Sequence, residues 1–230
     1  MNAPLGRAGA VALLAVSALG LAGCVTSDYT YVRDSAGLAY FKVPSTWRKV
    51  DHAPIVQALN GTDPESATAR LQEELIWGAA FDGAAVDPGP QNFIPTSPAA
   101  GDEPFVYATS WDLTEKQRDA VSLNTLRNQI LPVTADLRAQ YEQLGDFPFT
   151  QFELLADEVL DPGGGAQGVH VRYNYRIRNV GMQTFDQTVF LTRGGTRIAL
   201  LLIRCSPECY ERRGKELDAI AKSFKIKPTG

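Results

Sequence analysis

The chain has 230 residues, of which 26 are acidic and 22 are basic, giving a net charge of −4. This length is enough for one domain with a sizeable core, and the acidic balance argues against nucleic-acid binding and against general attraction to anionic lipids. With two histidines and three cysteines, the chain has few soft metal ligands, and we expect neither a metal nor another cofactor.

The first 23 residues have the pattern of an export signal. Arg7 precedes an apolar segment, residues 8–21, that is too short to span a bilayer as a mature helix. Residues 21–24 read LAGC and resemble the lipobox of bacterial lipoproteins. That resemblance implies cleavage after Gly23 and a diacylglycerol on the sulfur of Cys24. The alternative is an ordinary secretory signal with an incidental cysteine.

A diacylated Cys24 predicts stable attachment, because two acyl chains hold a protein on a membrane where one does not. Residues 24–28 would form a short tether, and four extended residues reach about 13 Å. We therefore expect a single domain, residues 29–230, anchored on the extracytoplasmic side of the cell membrane. Removal of residues 1–23, whose one charged residue is Arg7, leaves a net charge of −5.

The first elements of this domain are extended. Residues 29–32 and 38–43 predict two strands joined by a turn and ended by Pro44. Asp63, followed by Pro64, predicts the start of a helix through Leu71. Residues 75–81 fit either a continuation of that helix or a strand, and we favour the strand.

A long irregular segment follows at residues 83–104, with five prolines and three glycines. Proline removes a ladder donor and glycine weakens regular structure, so we predict a long loop. Loops of this length inside a domain are usually functional or mobile. Phe93 and Ile94 are either an exposed contact for a partner or are folded back on the core.

Helices are predicted after a strand at residues 105–111. Thr114 and Gln117 form the pattern of a capping box, which starts a helix that runs to Pro132. Its apolar stripe comprises Val121, Leu126 and Ile130. A second helical segment ends at Gly145. Residues 152–160 are then extended and lead into a glycine-rich turn.

Residues 169–178 alternate strictly between two faces of a predicted strand. One face is apolar, and the other carries the polar residues His170, Arg172, Asn174, Arg176 and Arg178. Guanidinium groups match phosphate and carboxylate geometry, so the stripe of His170, Arg172, Arg176 and Arg178 is a candidate site for an anionic headgroup, a glycolipid or an acidic partner. The alternative is a solvated face whose arginines pair with cross-strand acids such as Asp186.

The C-terminal segments predict two more strands and a helix. Residues 198–203 are continuously apolar, which indicates a central strand covered on both faces. Ser206 can cap the last helix, with Pro207 at its first position. Outside the cytoplasm, Cys205 and Cys209 predict a disulfide, with a redox pair or half a metal site as alternatives. The inner stripe of the helix would be Tyr210, Arg213, Leu217, Ile220 and Phe224.

Candidate catalytic residues do not emerge from this sequence. Neither His52 nor His170 has the neighbours of a catalytic triad, and nucleophile-elbow, phosphate-loop and metalloprotease motifs do not occur. We therefore expect no enzymatic activity. The predicted strands carry three large aromatic residues, Trp77, Phe81 and Trp111. These side chains line either a ligand pocket or the core.

The order of elements indicates an α+β fold with an antiparallel β-sheet packed against helices. Residues 41–44 (FKVP) with Trp47, and residues 220–224 (IAKSF), resemble the two ends of PsbP-like domains, including LpqN-type mycobacterial lipoproteins. The resemblance implies a PsbP-like α/β sandwich with an accessory or binding role. We also expect an actinobacterial cell surface, given the alanine- and glycine-rich composition.

The function expected from the sequence is therefore a noncatalytic binding module. Its partner would be a protein or an anionic component of the cell envelope. The alternatives are a carrier of a lipid or small apolar ligand and a divergent hydrolase. A cavity above ~300 Å³ would favour the carrier, and paired titratable groups in a cleft would favour the hydrolase.

Overall fold

The computed structural model has the predicted α+β fold and describes residues 27–60, 66, 71, 74–84, 89–94 and 102–227. All strand pairs within these residues are antiparallel. The strands are β1 (Tyr29–Arg33), β2 (Ala39–Pro44), β3 (Arg48–Val50), β4 (Ile76–Asp82), β5 (Phe105–Asp112), β6 (Phe149–Gly163), β7 (Ala166–Ile177), β8 (Gly181–Leu191), β9 (Arg197–Cys205) and β10 (Lys225–Ile226).

The strands form a three-stranded sheet, in the order β1-β2-β10, and a seven-stranded sheet, in the order β3-β4-β5-β9-β8-β7-β6. Short 3₁₀ turns lie at Pro90–Phe93 and Arg193–Gly195. The described α-helices are α1 (Ala53–Asn60), α2 (Glu115–Ala120), α3 (Leu123–Arg127), α4 (Ala135–Gln143) and α5 (Pro207–Ser223).

The central position of β9 explains its apolar sequence. Ile198, Leu200 and Leu202 belong to one buried cluster, which also contains Ile55 of α1 and Leu126 of α3. The alternate residues of β9 belong to a second cluster, together with residues of the three-stranded sheet and α5. Because successive side chains of a strand point to opposite faces, a strand between two cores needs apolar residues at every position.

The two segments that resemble PsbP-like domains contact each other. The backbone N–H of Lys42 in β2 donates to Ser223 Oγ at the end of α5, at 3.0 Å. The ring of Phe224 packs edge-on against Phe41, with 6.4 Å between ring centroids. β10 then pairs with β2, so the hairpin and the chain's closing segment form one sheet over α5 and the main sheet.

The helices differ from the sequence prediction at two places. The capping box of Thr114 and Gln117 is present, but the helix ends at Ala120, because Ser122 caps a new helix that begins at Leu123. The predicted continuous helix to Pro132 is therefore wrong. α1 begins directly after His52 and was not among the predicted helices.

Two other predictions agree with the structure in the residues that it describes. The segment before Gly145 is helical, and Gly145 has the positive φ of +71° expected of a C-terminal glycine cap. Residues 76–82 are a strand, as we favoured. The helix predicted at 63–71 lies outside the described residues, apart from Ser66 and Leu71.

The described parts of the 83–104 segment are tied to the core. Its ends meet where the Gly83 N–H donates to the Pro104 carbonyl at 2.8 Å. Phe93 is 2% exposed and lies against Phe105, with 4.4 Å between ring centroids. Ile94 is half-buried. Phe93 is thus not an exposed partner contact, since it is folded back on the core as the alternative prediction stated.

Candidate functional site

The polar face of β7 is built around one buried carboxylate. Asp186 of β8 lies directly opposite Arg172 of β7 and is 1% exposed. Its Oδ1 lies 2.7 Å from His170 Nε2, and its Oδ2 accepts from Arg172 Nε at 2.8 Å and from the Tyr210 hydroxyl at 2.6 Å. A second nitrogen of Arg172, Nη2, also donates to Oδ2 at 2.6 Å.

This cluster joins the sheet to α5, which supplies both Tyr210 and Asp218. The Arg172 guanidinium donates to Asp218 and lies over the Tyr210 ring, 4.7 Å from its centroid. The His170–Arg172 half of this polar face is therefore neither an open anion site nor fully solvated. α5 covers that half, and its arginine is neutralised by two carboxylates.

The electrostatics favour the ionised form of Asp186. Burial opposes ionisation of Asp186, but the hydrogen bond and charge of His170, with the charge of Arg172, hold the pKa of Asp186 below its usual range. The hydrogen bond to Asp186 raises the pKa of His170 above that of a free histidine. Burial and the charge of Asp186 raise the pKa of the Tyr210 hydroxyl.

These shifts favour a structural role for the cluster. A general base needs an acceptor that is free to take a proton from a substrate. Both oxygens of Asp186 are occupied by donors from three residues of the protein itself. The cluster therefore positions its members, above all His170, and clamps α5 to β7 and β8.

The four residues of the predicted anion stripe do not form one surface. Arg176 is exposed and donates to Gln151 Oε1 at 2.6 Å, while Arg178 forms an exposed ion pair with Asp146 at 3.1 Å. Both arginines line an open cleft of about 480 Å³. His170 and Arg172 instead belong to the Asp186 cluster. For Arg172, pairing with a cross-strand acid is the arrangement that the alternative prediction described.

A groove lies next to this cluster, between β6, β7, β8 and the C-terminal end of α5. Its volume is about 190 Å³. The lining residues are Glu158, Leu160, His170, Thr188, Phe190, Ala221, Lys222, Phe224 and Lys225. The groove thus combines apolar side chains with one acidic and three basic residues.

The basic rim of the groove was not predicted. Lys222 and Lys225 are exposed and lie on either side of Phe224, which is 3% exposed. The pattern KSFKIK around this phenylalanine, with lysines alternating with apolar residues, is the sequence signal that could have indicated them. His170, which the sequence did single out, is the predicted residue that reaches this groove.

The other predicted aromatic residues divide between core and surface. Phe81 is buried, and Trp111 packs partly buried against the core. Trp77 is half-buried and lines an open cleft of about 380 Å³ with Trp47 and Tyr31. This cleft is a surface feature rather than an enclosed carrier cavity.

The predicted disulfide is present, and it helps to position Tyr210 of the Asp186 cluster. Cys205 ends β9 and Cys209 lies in the first turn of α5, with 5.9 Å between their Cα atoms. Ser206 caps the helix by accepting from the Cys209 N–H at 3.1 Å. The bridge therefore fixes the start of α5 and, one residue later, Tyr210. Cys24 lies outside the described residues.

Comparison with known proteins identifies the fold. The structure is similar to CyanoP, the PsbP protein of Synechocystis sp. PCC 6803, with a TM-score of 0.51 and 13% identity over 91% of this chain and 99% of that one. LpqN, involved in cell envelope biogenesis of Mycobacterium tuberculosis, aligns with a TM-score of 0.44 and 17% identity over 87% and 91% of the two chains.

No family model and no curated protein sequence matches the chain. None of the helices in the described part of the chain combines the length and the hydrophobicity that a membrane span requires. At 13% identity, the likeness to CyanoP concerns the fold and not the activity. The chain has a PsbP-like fold.

Proposed function

We propose that the protein is a noncatalytic, lipid-anchored module on the extracytoplasmic side of the membrane. It binds an anionic amphiphilic component of the cell envelope in the groove beside α5. The observation that carries this proposal is the groove itself, because its apolar floor and basic rim lie together beside a cluster that holds His170 in place.

The floor and the rim suit different parts of such a ligand. Phe190 and Phe224 are buried beneath the groove and offer apolar contact to a hydrocarbon segment. Lys222 and Lys225 are exposed at its edge and can attract a phosphate or carboxylate. Glu158 at the same rim disfavours a ligand with several negative charges, so we expect a singly or doubly charged headgroup.

The size of the groove favours partial capture over carriage. Pockets that enclose a small molecule measure roughly 300–1,000 Å³, and the groove measures about 190 Å³. The groove can hold a headgroup with a short apolar segment, while the rest of the ligand stays outside the protein. This supports a binding module rather than a carrier that shields a whole lipid.

Dodecyl phosphate, which joins one apolar chain to one anionic group, is a suitable probe for the groove. We expect it to bind below its micellar concentration and to shift the NMR signals of residues around Phe224. Lys222→Glu should weaken binding about fivefold, since an exposed charge pair contributes up to about 1 kcal/mol and the reversed charge adds repulsion. Lys116→Glu is the matched control, because Lys116 is also exposed and lies on α2, outside the groove lining. Equal binding by both variants would contradict the proposal.

The anchor is tested separately by mass. The purified protein should begin at Cys24 and carry the added mass of acyl chains, as the LAGC motif implies. Cys24→Ser should release the protein from washed membranes. A wild-type N-terminus without acyl mass would refute the anchor, whatever the groove binds.

A further inference from the structure

The three-stranded sheet has an outer surface of unusual composition. One side of the sheet is buried, with Ala39, Phe41, Val43 and Ile226 in the core. The opposite side, which we call the hairpin face, carries three tyrosines and three basic residues: Tyr29, Tyr31, Arg33, Tyr40, Lys42 and Lys225. Tyr31 is 75% exposed and Tyr40 is 41% exposed.

The charges of the hairpin face are uncompensated. β1, β2 and β10 contain no acidic residue. Among the residues that the structure describes, Arg33, Lys42 and Lys225 form no ion pair, whereas the arginines of the Asp186 cluster and of α5 are paired. Lys42 lies over the ring of Tyr29, with its Nζ 3.8 Å from the centroid. A positive, aromatic surface therefore stands out on a chain of net charge −4.

The position of this face is fixed relative to Cys24. The Asp28 carbonyl accepts from the Ser45 N–H at 2.9 Å, which ties the chain to the end of β2 just before β1 begins. Cys24 and Asp28 are four residues apart in sequence, so their Cα atoms are separated by at most about 14 Å. An acylated Cys24 would thus hold this end of the sheet at the lipid surface.

We infer that the hairpin face lies on the membrane, with its tyrosines among the headgroups and its cations on anionic phospholipid. The inference rests on the lipid anchor of the proposed function and adds an orientation to it. Tyrosine is enriched at membrane–water interfaces because its ring is apolar and its hydroxyl is wet. Lysine and arginine close to the surface are attracted by anionic lipid over about one Debye length.

This orientation also places the groove. Lys225 lies opposite Tyr40 on the hairpin face and lines the groove beside α5. The mouth of the groove therefore opens beside the lipid surface. An amphiphile can then place its headgroup at Lys222 and Lys225 while most of its chain remains in the bilayer, which accounts for a groove of about 190 Å³.

The test uses the acylated protein that begins at Cys24, in vesicles of phosphatidylcholine with or without phosphatidylglycerol. A fluorophore on Tyr31→Cys reports the hairpin face, and one on Leu144→Cys is the control, since Leu144 is 71% exposed next to α4. With a quencher attached to the lipid headgroups, we expect quenching at position 31 to exceed that at position 144 several-fold. The excess should be larger with phosphatidylglycerol and should fall at high salt.

Charge reversal provides the second arm. The hairpin face lies on the membrane in some anchored molecules and away from it in others. Arg33→Glu combined with Lys42→Glu should lower the ratio of the first state to the second by about 25-fold or more, because each basic side chain near an anionic surface contributes about fivefold. Lys116→Glu should leave the ratio unchanged. Acylated protein with equal quenching at positions 31 and 144 would overturn the orientation alone. Protein without acyl mass at Cys24 would overturn the orientation and the anchor together.

Discussion

Removal of the Asp186 carboxylate is the most informative perturbation of the fold. Asp186 is 1% exposed and accepts hydrogen bonds from His170, Arg172 and Tyr210. Asp186→Ala leaves these donors facing a small cavity beneath α5. Asp186→Asn keeps the shape and part of the hydrogen bonding but removes the negative charge that Arg172 faces.

The expected magnitudes follow from these contacts. Removing one partner of a buried ion pair costs about 3–5 kcal/mol, because the remaining charge is left without compensation. Asp218 still faces Arg172 in the variant, so we place Asp186→Ala near the lower end, at about 3 kcal/mol. Asp186→Asn should cost about half as much, since a neutral hydrogen bond contributes roughly half of a charged one.

Urea unfolding followed by tryptophan fluorescence measures both losses. The control is Asp146→Asn, which removes an ion pair whose aspartate side chain is 94% exposed, and it should cost less than about 0.5 kcal/mol. If Asp186→Ala unfolds at the same urea concentration as Asp146→Asn, the cluster does not clamp α5 to the sheet.

Three further predictions concern pH, the disulfide and close packing. The raised pKa of His170 means that its stabilisation is complete below the unfolded-state value of about 6.5 and is lost as pH rises through the folded value. The stability difference between wild type and His170→Gln should therefore shrink in urea titrations as pH rises above about 6.5, and a difference that stays constant with pH would contradict this. Replacing Cys205 and Cys209 by serine should lower the free energy of unfolding by about 2 kcal/mol, as loop closure over so few residues predicts, and a fully reduced wild type should match the variant. Gly168→Ala should cost about 1–3 kcal/mol by thermal unfolding, because its Cβ would lie 2.5 Å from the Phe190 ring and 2.9 Å from the Val189 carbonyl oxygen.

Several elements were predictable because their signals are local. The hairpin of β1 and β2, the cap of α5 at Ser206 and the bridge between Cys205 and Cys209 all depend on residues within a few positions of each other. Strand alternation in β7 correctly identified its buried face. The FKVP and IAKSF segments predicted the PsbP-like fold, and the structural similarity to CyanoP confirmed it.

Errors arose where one local signal competed with another. The stripe from Val121 to Ile130 fits one helix, but Ser122 and Thr125 form a second capping box and restart the helix. A helix can be interrupted at a small cost in free energy where a side chain accepts hydrogen bonds from the N–H groups of the new helix end. α1 was missed, although Asp51 accepts from the Ala53 N–H and Pro54 lies in its first turn.

The sequence by itself determined the strands other than the short β3 and β10, the caps at Thr114, Gly145 and Ser206, the short disulfide loop and the membrane-anchor hypothesis, because each depends on neighbouring residues. The tertiary structure decided which residues of the polar stripe are covered and which are exposed. Arg172 and Asp218 are 46 positions apart, and no local pattern shows that α5 covers one half of β7 and leaves Arg176 exposed. The groove and the hairpin face likewise arise from strand pairing and helix packing, which bring together residues from opposite ends of the chain.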